Sequence, residues 1–534
     1  MSHDAVVVKS VDRRLGLDAL RGMAIVWMAM AAVIPGGLPN WLYHGYYPRW
    51  LLGDATNVTG VWIAASGFQA RWGSFTIIDW VFPGFLFAMG AAIPAALMPR
   101  LDRGESRWKL AGSVVIRTVG LLFFAVYVRV VSPGEWVGKG MTPGMSEWLL
   151  ALLAFVVPFV LYVRLSKSWQ GGRLIATRVV GLLLCVGMIA LNCFWADKPF
   201  GVQRFDIIIA LLAHTYLLGG LLWLLCGRSS IGGAILLALM LLIGLVAHHE
   251  SINTQKFGDW RFLGTGFSAI MPVLESPTIA LKWLRLDPLW GFGWYQYAIV
   301  VGLGIWTGER LLNWNTRPQS TGFACGLMGA GLLVVMSVFV GLRNYDVATF
   351  GVGGWMTTPW PVVLVGGPAL LAFAVLAWRI DDRSLRTMIV GTVLILLAGV
   401  TLSVLKVDGQ YFQGGIKKGP PAPLSYYLVS SGISAVMLIA MTVWIDAAKL
   451  RGLLVVALVG QNALLAYIGI RNVIGPVLNM PVLASIYEGK TINQFARLNV
   501  FTTPWTQLVW AVIVVAIFSV GVAWLSKRKI LWRV

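Results

Sequence analysis

Charge is scarce in this chain: Asp, Glu, Lys and Arg make up only 12% of its 534 residues, where an average soluble domain carries about 25%. That shortage excludes intrinsic disorder, which needs high charge and few apolar residues. It also argues against an ordinary soluble surface. Cysteine is rare too, and Cys185, Cys193, Cys226 and Cys325 show neither CxxC nor metal spacing, so they read as small buried hydrophobes. No P-loop is present and GxSxG is absent, which removes the sequence grounds for a P-loop nucleotide hydrolase or an α/β-hydrolase nucleophile elbow. There is no internal repeat, no low-complexity tail and no soluble domain.

What is present is apolar surface. Hydrophobic residues account for 58% of the chain, and runs of eighteen or more recur along it, so lipid must be the main solvent. Hydropathy predicts spans near 19–37, 77–97, 110–131, 146–163, 178–194, 206–226, 231–248, 290–308, 321–341, 360–378, 387–405, 426–445, 453–470 and 506–525. The expected fold class is therefore an all-α polytopic membrane protein of about fourteen transmembrane helices (ten to fourteen). It forms one domain over residues 1–534.

An even count puts both termini on one side, and both are basic. The formal charge of +20 comes from Lys and Arg in alternate short loops, such as Arg100, Arg103, Arg107 and Lys109, or Arg379, Arg383 and Arg386. That is the positive-inside pattern; it places both termini in the cytoplasm and calls for no nucleic acid. The N-terminal segment 1–18 is then cytoplasmic, held by Arg13, Arg14 and Arg21, and does not read as a typical signal peptide. Loops 38–76, 249–289, 406–425 and 471–505 fall on the outer face and are rich in Gly, Pro, Trp and Tyr. Such loops suit a cap over a cavity between helices.

Ionisable groups near the membrane are costly to desolvate and so are informative. On this topology His44, Asp79, Arg204, Asp206, His248, His249 and Asp287 share the outer side, where imidazoles and carboxylates could do acid–base chemistry. His44, in NWLYHGYY, reads first as an aromatic-belt residue at the interface. His214 lies on an apolar helix face and reads as packing. His248-His249-Glu250 is a poor metal set, because adjacent helical side chains diverge by about 100° and no third ligand stands at useful spacing. Asp18 and Arg21, three apart in LDALRG, read first as a helical ion pair and second as a support for an anionic cofactor.

RRLGLDALRGMAIVWMAM, then NWLYHGYY, then IDWVFPGFLFAMGAAIP resembles the start of the heparan-α-glucosaminide N-acetyltransferase family and its bacterial relatives. RFDIIIALLAHTY, LDPLWGFGWYQYAIVVGLGIWTGE, and PAPLSYYLVSSG followed by VGQNALLAYIG resemble later family stretches. The resemblance implies a multi-pass protein of the bacterial inner membrane that moves an acetyl group from cytosolic acetyl-CoA to an extracytoplasmic amino sugar or glycan. It puts His44 in the place of the family's critical loop histidine, as transient acetyl carrier or general base. Asp79 takes the place of the acidic residue of the second-span motif. Arg204, Asp206, Asp287 and Asn462 become candidates for substrate binding, and Arg13, Arg14, Asp18 and Arg21 for the donor. The implied partners are acetyl-CoA, a sugar or glycan acceptor and the bilayer, with a homodimer left open and no metal.

Some positions depart from the family pattern. Val33 stands where relatives often have Asn, Ala210-Leu211 where they have Gln-Arg, and Leu289-Trp290 follows Asp287-Pro288 where they have Glu. The loop between His44 and Asp79 is longer, and helix pairs are added after the third and ninth spans. A member turned to another acceptor fits these departures better than a heparan enzyme. The rival class is a transporter or flippase for a small solute or lipid-linked sugar, which should show repeat symmetry and broken helices in matching halves. A third reading is a structural membrane subunit without chemistry.

Overall fold

The computed structural model describes residues 14–35, 38, 75–137, 143–163, 171–197, 206–226, 229–254, 292–342, 361–405, 422–480 and 490–532, and the described residues contain helices and no strands. His44, Arg13, Arg204 and Asp287 lie outside them, as do Arg343 and Asp346. The helices, in order, are α1 (Leu15–Val33), α2 (Ile77–Asp102), α3 (Arg107–Val130), α4 (Met145–Tyr162), α5 (Gly172–Trp195), α6 (Ile207–Cys226) and α7 (Ser230–Thr254). They continue as α8 (Ala298–Asn313), α9 (Thr321–Gly341), α10 (Val362–Trp378), α11 (Arg383–Leu405), α12 (Leu424–Ala447), α13 (Arg451–Gln461), α14 (Ala463–Asn479) and α15 (Pro504–Lys527).

Every apolar segment anticipated above is helical, but not every one is long enough to span by itself. Eleven of the described helices are long and apolar enough to cross a bilayer, or twelve if the pair α13–α14, bent by 80°, is one span. The count of fourteen is lowered because α8 gives its first turn to a 3-10 segment, Phe292–Tyr297, and α10 opens with a π turn, Val362–Gly366. Helices run across three of the expected boundaries. α1 starts at Leu15, inside the segment 1–18 expected to precede it, because Asp446 of α12 accepts the N–H groups of Leu15 and Gly16 at 3.1 and 3.0 Å. α7 runs on to Thr254, inside the loop expected at 249–289. The loop expected at 471–505 is helical over Ile470–Asn479 and again over Ile492–Val500.

α12 is the central pillar, with nearly every side chain from Ser425 to Val443 buried, and α1, α2 and α8 pack around it. In lipid, such packing depends on close approach rather than on a hydrophobic drive between helices, so small residues sit at the crossings. Gly22 of α1 faces Gly460 of α13 so closely that a Cβ on either would strike the other helix's backbone. Gly304 and Gly308 press α8 in the same way onto the backbone of α2 at Phe87 and Ala91. The two added pairs, α4–α5 and α10–α11, are peripheral and turn apolar side chains such as Leu183, Phe194, Leu371 and Leu394 outward. Cys325, expected to be buried, is exposed on α9. An apolar exterior around spanning helices marks the chain as a multi-pass membrane protein.

Contacts define two faces. The amino-terminal face gathers the start of α1, the α8–α9 turn, the end of α12 and the start of α11. There Arg14 donates to Thr316 Oγ1 and the Trp314 carbonyl at 2.7 and 2.6 Å, and Asn315 N donates to Asp382. The opposite face gathers the starts of α2, α8 and α12 with the ends of α7 and α9. There Phe75 N donates to the Leu342 carbonyl and packs edge-on to Tyr426.

Candidate active site

Asp79 is placed by its own helix end. Thr76 and Asp79 form a reciprocal capping box: the Thr76 hydroxyl accepts from Asp79 N, while Asp79 Oδ2 accepts from Thr76 N and Oγ1 at 3.1 and 2.8 Å. The carboxylate is therefore desolvated yet held at the helix N-terminus, where negative charge is favoured. The Asp79 backbone carbonyl accepts from the Tyr426 hydroxyl at 2.9 Å, which ties α2 to α12.

Around this point the three helix starts bring aromatic residues together. Tyr427 stands edge-on to Tyr297 (centroids 5.0 Å), Tyr426 (5.3 Å) and His248 (6.0 Å), and Phe82 stands edge-on to Tyr297 at 5.1 Å. His214 meets Tyr295 edge-on at 6.1 Å, so the two buried imidazoles flank the 3-10 segment Phe292–Tyr297. Beneath, Trp80 Nε1 donates to Ser434 Oγ at 3.0 Å. Three buried polar atoms on these elements, Tyr427 Oη, Gln296 Oε1 and Ser430 Oγ, have no hydrogen-bond partner among the described residues. Buried polar groups are nearly always satisfied, so these atoms are ones that water or a ligand's polar groups could complete.

The other candidates fall into separate clusters. Asp206 caps α6 through Oδ1, which accepts from Ile208 N and Ile209 N at 3.1 and 3.2 Å. Its Oδ2 accepts from the Tyr467 hydroxyl at 2.8 Å and lies 3.4 Å from the half-exposed Arg471 guanidinium. Asn462 stands at the 80° break between α13 and α14. Its amide donates to the Ile530 carbonyl at 2.8 Å and accepts from Trp532 N at 3.0 Å, and the Trp532 ring fills a box of Phe124, Phe155, Phe159 and Tyr162. Both ends of that amide thus hold the carboxy-terminal segment of the chain.

On the amino-terminal face Arg21 pairs with Asp18 at 3.2 Å, as the i, i+3 spacing implies. Arg14 bolts the start of α1 to the α8–α9 turn. These contacts give Arg14, Asp18 and Arg21 structural work at the start of α1. Among the described residues no three His, Cys, Asp or Glu come together as a metal site. His248 packs on Tyr427, while the side chains of His249 and Glu250 lie outside the described residues.

Sequence reasoning missed Tyr297, Tyr426 and Tyr427 as site residues, and also Tyr467 and Arg471. Their one local signal is pairing at helix starts, WYQY and LSYY, each next to Gly or Pro.

Residues 13–261, which contain α1 to α7, match the family model described as a domain of unknown function, DUF5009. The chain is 29% identical to the heparan-alpha-glucosaminide N-acetyltransferase of Mus musculus over 153 residues, 28% of this chain and 19% of the mouse protein. It is 27% identical to the enzyme of the same name from Homo sapiens over 150 residues, 27% of this chain and 18% of the human protein. The chain thus spans about a fifth of the length of the curated relatives it matches. Over part of its length the chain is thus similar both to the DUF5009 model and to two mammalian heparan-alpha-glucosaminide N-acetyltransferases.

Proposed function

We propose that the protein is a membrane-embedded acetyltransferase that passes the acetyl group of cytosolic acetyl-CoA to the amine of an extracytoplasmic amino sugar or glycan. Buried Tyr427 Oη, Gln296 Oε1 and Ser430 Oγ, without a hydrogen-bond partner among the described residues, are the observation that carries the reading. A sugar brings many hydroxyls, and an aromatic cluster with unmet polar atoms suits it. The names of the mammalian relatives supply the reaction class. Phe75, the first described residue after the segment that contains His44, stands edge-on to Tyr426.

The chemistry needs one base. Either the acceptor nitrogen attacks the thioester carbonyl while the His44 imidazole takes its proton, or the imidazole attacks first and hands the acetyl group on. In both routes the C–S bond breaks, an amide forms, and CoA leaves as the thiolate and is protonated. Asp79, bonded to Thr76, acts as a positioning residue that holds the start of α2 and, through its carbonyl, Tyr426. By the positive-inside rule the amino-terminal face meets the cytosol, so CoA approaches there.

A transporter is favoured by one feature, the broken helix α13–α14, but the polar group at that break holds the chain's own Ile530 and Trp532. The test is to incubate purified protein with acetyl-CoA and glucosamine and follow free thiol release. Release that depends on the amino sugar is expected. If acetyl-CoA is neither bound nor consumed, the proposal fails.

A further inference from the structure

Arg117 is out of place for an anchor of the bilayer surface. It stands ten residues beyond Arg107, the first residue of α3, about 15 Å along the axis at ~1.5 Å per residue. With the span predicted to begin at Leu110, Arg117 lies about 10 Å into the ~30 Å hydrocarbon core. Its side chain is exposed, and so are its apolar neighbours Val115, Ile116 and Val119. A guanidinium on such a surface must reach a polar partner, by extending along its own apolar stem or by meeting an anion.

The surroundings favour an anion. Arg117 lies over the Tyr216 ring of α6, 5.2 Å from its centroid. One turn earlier on α3, Ser113 Oγ accepts from Arg100 Nη1 at 3.0 Å, and Arg100 is within electrostatic range of the same Tyr216 phenol. Two guanidiniums from different helices thus converge on one tyrosine. α3 and α6 are held close at this level, because Gly220 leaves room only for Val114. Glu105 is bonded to Arg100 and is also within reach of Arg103 and Lys109, so three cations share that one carboxylate, and Arg117 adds a further positive charge on the same helix as Lys109. Asp102 is the other carboxylate at this end of α2. Trp108, 86% exposed at the start of α3, is the amphipathic ring expected beside headgroups.

We propose that the surface where α2, α3 and α6 meet binds the phosphodiester of an anionic phospholipid, with Arg117 and Arg100 as its charge partners and Tyr216 between them. A lipid fits better than a free phosphate, because exposed Val115, Ile116 and Val119 adjoin Arg117 and give acyl chains an apolar surface to lie on. An anionic headgroup fits better than a zwitterionic one, since the surplus here is cationic and offers no place for a second ammonium.

The proposal is tested in nanodiscs of phosphatidylcholine with and without phosphatidylglycerol of the same chain length, using the wild type, Arg117→Leu and Tyr216→Phe. Native mass spectrometry is expected to show phosphatidylglycerol retained over phosphatidylcholine on the wild type, with retention falling roughly fivefold in Arg117→Leu. The melting temperature should rise with phosphatidylglycerol for the wild type and less for Arg117→Leu. The leucine suits a lipid-facing position, so that variant should fold in phosphatidylcholine. If it does not, Tyr216→Phe gives the second readout, weakened retention in a folded protein. Equal retention of both lipids by the wild type, undiminished retention in both variants, or an equal thermal shift from inorganic phosphate in detergent would each overturn the proposal.

Discussion

Replacing Tyr427 by Phe separates a chamber that binds from a core that merely packs. The ring contacts with Tyr297, Tyr426 and His248, at 5.0, 5.3 and 6.0 Å between centroids, survive the change. Only the hydroxyl is lost, and it has no partner among the described residues. Burying a hydroxyl without a hydrogen bond costs about 1–3 kcal/mol by mutational scales. Tyr427→Phe should therefore leave the ligand-free protein as stable as the wild type, or more so. A ligand that completes the bond loses about 0.5–1.5 kcal/mol of interaction, which is roughly a 2- to 13-fold fall in kcat/KM. The assay pairs thermal unfolding in detergent with amino-sugar-dependent CoA release. A variant that unfolds several degrees earlier would show that the hydroxyl is already satisfied in the empty protein. A variant with unchanged kinetics would show that the chamber is not where the acceptor binds.

Three further outcomes follow from the packing and the charges. Gly460→Ala should destabilise by at least about 1–3 kcal/mol, because its Cβ meets the α1 backbone. Gly329→Ala, with open space at the Cβ position, should be neutral or stabilising by about 0.5–1 kcal/mol; equal unfolding temperatures for the two would contradict the crossing. Asp206→Ala should cost about 1–2 kcal/mol for the lost cap and a further 1–3 for the Tyr467 hydroxyl left without its acceptor, with little from the half-exposed Arg471. Asp206→Asn should recover most of that, as read by thermal melts of both variants. The Arg100 guanidinium, bonded to both oxygens of Glu105, holds this carboxyl below the usual carboxylate range, helped by Lys109 and Arg103. A depressed carboxyl stabilises above its unfolded value near ~4.3 and stops doing so as pH falls through its folded value. The gap in melting temperature between wild type and Glu105→Gln should therefore close on acidification below about pH 4; a gap that persists at pH 3 would contradict this.

What could be read from the chain in advance was local. Apolar runs predict helices because every backbone group in lipid must be satisfied within its own segment. The Asp18–Arg21 pair was legible because three residues make nearly one helical turn. The fold-back of Trp532 onto Asn462 was not legible, since 70 residues separate the partners and nothing in VGQNALLAY announces a break. Arg471, Asn472 and Pro476 depress the hydropathy of 470–479, so its helix does not show as an apolar run, yet Asn472 donates to the Val131 and Ala151 carbonyls and is buried by it. The tyrosine cluster joins α8 to α12 across more than a hundred residues, a tertiary fact that no spacing rule carries. Asp79 was singled out on motif, and its capping role through Thr76 is visible only when the two side chains are seen together.

Transfer of an acetyl group across the bilayer through His44 is best tested in sealed proteoliposomes. Labelled acetyl-CoA is supplied at the amino-terminal face and glucosamine is enclosed on the other. The wild type is predicted to deposit labelled N-acetylglucosamine in the lumen, and His44→Ala to deposit none while still binding CoA. Equal luminal label from the two proteins, or label that never leaves CoA in the wild type, would contradict the account.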